Sequence, residues 1–119
     1  MASQAMPNVA GKGPSLVREM LATFKELNGS LDKVSTEAAE KIKAICTDKA
    51  QEIEPLTSRA YMKTVKAGET AWQCSQMALE LKESVGAGNE AAAMETLDKL
   101  GVELGDLINK TKNFVVRMT

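Results

Sequence analysis

The side chains that could carry acid–base or nucleophilic chemistry in this chain are Cys46, Cys74, the carboxylates and the lysines, because histidine is absent. Without imidazole there can be no Ser-His-Asp or Cys-His nucleophilic site, no phosphohistidine and no Glu-x-x-His ligand pair of the kind that di-metal bundles use. Gly86-Ala87-Gly88 is followed by Asn89 rather than by a Lys-Ser/Thr step, so it is a turn and not a phosphate loop. The carboxylates fall where helix surfaces put them. Glu37 with Lys41, Glu95 with Lys99 and Asp106 with Lys110 are i,i+4 pairs in the favourable orientation. The sequence therefore predicts no catalytic residue, no metal and no cofactor, and the chain is expected not to be an enzyme.

The cysteines can be placed by helix geometry. If the second and third helices form a hairpin that turns near Pro55, Cys46 lies level with about Val65. Cys74 is then ~13 Å further along at 1.5 Å per residue. A disulfide needs Cα atoms within about 7 Å, so two free thiols, buried or half-buried, are expected.

Composition narrows the remaining classes. Fifteen Lys and Arg against sixteen Asp and Glu leave a net charge of −1, which offers no general field to nucleic acid or to an anionic membrane. No run of about eighteen apolar residues is present, so stable membrane insertion is not expected. Residues 1–14 contain Pro7, Gly11, Gly13 and Pro14 but no apolar stretch of a signal peptide. They read as a flexible tail before a helical domain over residues 15–119. The expected location is cytoplasmic, with a secreted protein whose signal peptide has been removed as the alternative. Aromatics make up only 3% of the chain and methionine contributes seven residues, so the core is expected to be built from Leu, Ile, Val, Ala and Met.

The elements follow from apolar spacing. Leu16, Val17, Met20, Leu21, Phe24 and Leu27 make a short first helix, closed by Asn28-Gly29 with the glycine left-handed. The second begins near Ser30 or at the Ser35-Thr36 cap, carries Leu31, Val34, Ala38, Ile42, Ile45, Ile53 and Leu56, and ends at Pro55. The third runs from Pro55 or Thr57-Ser58 to about Ser84, continuous through Gly68. Its wide apolar sector includes Tyr61, Val65, Trp72, Cys74 and Leu79, and it points Met62 and Met77 towards the polar side. Trp72, levelled with Gly101 and Val102 across the Gly86 turn, is expected to pack in the core. The last helix, from an Asn89 cap through Ala91–Met118, is the longest, with Leu97, Leu100, Leu104, Ile108, Thr111 and Val115 on one face. The fold class is all-α: an antiparallel helical bundle of four helices, the first one short.

Helix lengths then suggest where a function could sit. The second to fourth helices would span ~35 to 42 Å and the first only ~20 Å, which leaves half of one bundle position empty. The uncovered apolar groove would expose Ile45, Ile53, Leu56, Tyr61, Ile108, Phe114 and Val115, with Lys49 offering a cation to a partner carboxylate. An amphipathic helix of a protein partner, a second copy of the chain, the tail with Met6 and Val9, or a hydrophobic ligand or lipid could fill it. The leading expectation is a non-enzymatic interaction module that self-associates or docks a partner helix. A small hydrophobic-ligand or lipid-binding protein is the alternative.

Overall fold

Apolar residues at spacings of three and four set the helices along most of the chain. The computed structural model describes residues 7–115, and among these there is no strand. Helix α1, Gly13–Asn28, has Pro14 in its first turn, where a missing N–H costs nothing, and buries Val17, Met20, Phe24 and Leu27. It does not end on a left-handed glycine. Gly29 stays right-handed at φ −75°, and the amides of Gly29 and Ser30 donate to the carbonyls of Glu26 and Leu27, tightening the last turn.

A 3₁₀ turn at Leu31–Lys33 leads to Ser35, the second of the two expected caps, whose hydroxyl accepts from the Ala38 amide at 3.1 Å. Helix α2, Thr36–Lys43, widens into a π-helical segment, Ala44–Lys49, and resumes as α3, Ala50–Ile53. Glu54–Leu56 is again 3₁₀, around Pro55.

The next helix starts about ten residues later than its apolar sector suggests. Tyr61 and Met62 belong to a separate 3₁₀ turn, Ala60–Lys63, and Thr64 is the N-cap of α4, Val65–Gly86. The Thr64 hydroxyl donates to the Tyr61 carbonyl at 2.7 Å and accepts from the Ala67 amide at 3.2 Å, so one side chain closes the turn and opens the helix. Helix α4 is continuous through Gly68. Its buried face is Ala67, Gly68, Ala71, Cys74, Ser75, Ala78, Leu81 and Val85, whereas Val65 and Leu79, expected inside, are exposed. Small residues win that face because α4 packs on both α1 and α5, and the distance between helix axes is set by the side chains at the contact.

Gly88 (φ +69°) follows α4, with the Asn89 amide donating to the Ser84 carbonyl and the Gly88 amide to that of Val85, a Schellman closure. Asn89 then caps α5, Glu90–Asn113, by accepting from the Ala92 amide. Helix α5 buries Ala93, Leu97, Leu100, Leu104, Leu107, Ile108 and Thr111, close to the expected stripe, but stops at Asn113 where Phe114 is extended. Met118 lies outside the described residues. The helices therefore form four rods, α1, the composite of α2 and α3, α4 and α5, around one core centred on Met20, Phe24, Ile42, Met62, Leu81 and Leu100.

The half-empty position is closed by the chain itself. Met62, expected on the polar side, is fully buried, and Leu56 is nearly so; both join Ile53 and Ile108 in the core. Val9 is buried as well, and its carbonyl oxygen occupies the space that a Cβ at Gly68 would need. A Cβ at Gly13 would likewise overlap the Met62 carbonyl. Of the expected tail, residues 1–6, Met6 included, lie outside the described residues, and Val9 and Gly13 pack against α4 and the Met62 turn respectively.

Candidate functional site

The residues expected to line a docking groove end in three different environments. Ile53, Leu56 and Ile108 are sealed in the core at 0%, 4% and 1% exposure, so no partner can touch them in the folded state. Ile45 and Lys49 are half-buried, and the Lys49 ammonium lies 3.6 Å from the Glu52 carboxylate, so its charge is answered within the chain. Glu52 also accepts from Lys112 at 2.8 Å, and this hydrogen bond and charge hold its carboxyl below the usual range. Phe114 and Val115 are exposed, and Tyr61 is half-buried against the edge of the core. The Tyr61 and Phe114 rings meet at 5.4 Å between centroids, tilted by 53°, and Val115 is 76% exposed.

A different surface has the shape of a docking groove. Between α4 and α5 runs an open groove of about 670 Å³ with Trp72, Met77 and Val102 as its apolar part. Gln73 and Gln76 line it from α4, and Glu80, Asp98, Lys99 and Glu103 supply its charges. The levels deduced from the Gly86 turn were right in bringing Trp72 to Val102. The direction was not: Trp72 is half-buried and outside the core cluster, and Val102 is 71% exposed. The face of α4 that meets α5 is too rich in Ala, Gly and Ser to admit an indole, so the ring lies over the seam instead of in it. A second, smaller hollow of about 400 Å³ adjoins it across Asp98 and Val102, reaching Ile45 and Lys41.

Sequence reasoning missed this groove although a signal was present. Residues 70–79 carry no charge, yet only one face of that stretch is needed for the core. Val102 similarly interrupts the polar side of α5.

The thiols are not reactive groups. Cys46 and Cys74 are both free and buried, and burial pushes each up to about 12, with the nearby Glu103 charge adding to the effect at Cys74. A thiol so protonated and enclosed is a poor nucleophile, since the thiolate is the reacting form. Among the described residues no three Cys, Asp or Glu side chains converge as a metal site, and no helix is long and apolar enough to cross a membrane.

Comparison with known proteins gives no match: no family model fits the chain, and no curated protein or solved structure is similar to it. The surface has to be read from its own chemistry.

Proposed function

We propose that this protein is a cytoplasmic, non-enzymatic interaction module, an antiparallel helical bundle that docks an amphipathic helix in the groove between α4 and α5. The observation that carries this reading is the groove itself. The chain's only tryptophan, a methionine and a largely exposed valine stand together in one groove whose other lining side chains are glutamines and charged groups. Trp and Met are the side chains that helix-binding grooves favour, one for rigid contact area and the other for adaptability. The groove extends from Trp72 to Glu80 along α4, which is ~12 Å or about two turns of a seated helix. Two buried, unpaired thiols fit a reducing compartment.

The test uses Trp72 as its own reporter. A synthetic helical peptide of about 18 residues, with a Leu/Phe face and uncharged Gln flanks, is titrated against the full chain while the emission is followed. Saturable blue-shifting, abolished by Val102→Glu, is the expected result. A groove of this volume also falls in the range of small-molecule sites. If a medium-chain fatty acid moves the emission and the peptide does not, the protein belongs with hydrophobic-ligand binders instead.

A further inference from the structure

Resting on the docking reading above, we propose that the helix this groove takes is a basic one, with Lys or Arg flanking its apolar face. The charges lining the groove are unequal, and the nearest further cations, Lys41 across the adjoining hollow from Asp98 and Lys110 near Glu103, lie outside it. Glu80, Asp98 and Glu103 line it against a single cation, Lys99. That lysine already faces Glu95 at 3.7 Å on its own helix, so it neutralises little of the groove. None of the three carboxylates forms an ion pair among the described residues.

Two carboxylates away from the groove are paired between elements. Glu26 of α1 meets Lys82 of α4, and Glu52 of α3 meets Lys112 of α5. The contrast extends to the whole sequence. Residues 65–113, which supply the groove, contain eight carboxylates and five lysines, whereas residues 12–63 contain eight carboxylates and nine Lys or Arg. The acidic balance is thus concentrated on the hairpin that carries the apolar cleft.

Three carboxylates around an indole and a methionine are complementary to one kind of helix. Its apolar side chains would cover Trp72, Met77 and Val102, while Lys or Arg stems lie along the walls and bring their charges to Glu80, Asp98 and Glu103. Gln73 and Gln76 could satisfy polar backbone or side-chain groups along one wall without adding charge. An acidic helix would meet like charges there and an uncharged one would leave the carboxylates unanswered.

The experiment compares three peptides with the same Leu/Phe face and Lys, Gln or Glu flanks, titrated into the full-length chain and into an Glu80→Gln/Asp98→Asn/Glu103→Gln variant, with Trp72 emission as readout. The Lys peptide should bind about tenfold tighter than the Gln peptide at low salt, as three exposed ion pairs of modest strength would give. The advantage should shrink towards unity near about 1 M salt and disappear in the triple variant. Equal affinity of the Lys and Gln peptides for the wild-type chain overturns the basic-helix assignment and leaves the docking reading standing. Failure of every peptide overturns both. A chain that doubles its mass by light scattering and shifts its own Trp72 emission on concentration replaces the partner with a second copy, which also overturns the assignment.

Discussion

The turn around Met62 and the groove around Trp72 contain similar side chains and have opposite fates. Around Met62, a methionine, a leucine and a valine from three irregular segments fill the space between rods, and two glycines let the backbone approach closely enough to seal it. Around Trp72, a tryptophan, a methionine and a valine sit on regular helices whose buried faces are already filled, by mostly small residues from α4 and by leucines from α5. Irregular chain can bend to bring its apolar atoms inward; a side chain on the wrong side of a straight helix cannot. A shortfall in helix length is therefore a poor guide to an open groove, because loops make up shortfalls, whereas apolar residues outside a well-packed seam stay at the surface.

The sharpest way to break this contrast is to truncate one member of each set. Met62→Ala should cost about 2–5 kcal/mol by urea denaturation, the price of a cavity in an enclosed core, whereas Val102→Glu should stay within about 0.5 kcal/mol. Equal effects would mean that the groove is structural. A smaller loss, about 1–3 kcal/mol, is expected for Gly13→Ala, because the new methyl must push the Met62 carbonyl away. Gly86→Ala, where a Cβ meets nothing within 4 Å, serves as its control and should be neutral or slightly stabilising. Phe114→Ala removes one ring of the tilted Tyr61 pair and should cost about 0.5–1.5 kcal/mol, read as a small drop in thermal midpoint.

The smallest effect concerns the far end of α5, away from both regions. The Glu90 carboxylate accepts from the Ser35 amide at 2.8 Å, and this hydrogen bond holds it below the usual carboxylate range. A lowered folded-state value means that the contribution is present at neutral pH and is lost as the pH falls through that value. Glu90→Gln should therefore weaken the chain slightly at pH 7 and leave the two proteins indistinguishable in strong acid, as followed by circular dichroism. A difference that persists in acid would assign the effect to packing.

Much of the fold was legible because α1 and α5 obey simple spacing. Leu97, Leu100, Leu104, Ile108 and Thr111 fall inside as their intervals require, and the Asn89 and Ser35 caps are where short polar side chains precede an apolar run. The stretch from Pro55 to Thr64 was not legible, because Ala60, Tyr61 and Val65 mimic a helical face that continues into α4. Only Thr64, with a hydroxyl able to cap, separates them. Three of the expected groove walls, Ile53, Leu56 and Ile108, were correctly read as apolar yet are buried, because an apolar face does not say whether the chain returns to cover it. Trp72 was misplaced by the assumption that an aromatic ring belongs inside, when the alanines and glycine around it had already determined how closely the helices approach.

The three-residue connection between α4 and α5 has a consequence for the order of assembly. Contacts between these helices are close in sequence and can form as soon as the hairpin exists, whereas α1 has its most extensive packing on α4, across the whole of α2 and α3. During synthesis α1 emerges well before the α4 surface on which it packs. Local pairings close quickly and distant ones slowly, so the hairpin should form early and α1 should dock late. Until then Val17, Met20, Phe24 and Leu27 lack the α4 face that buries them in the folded chain.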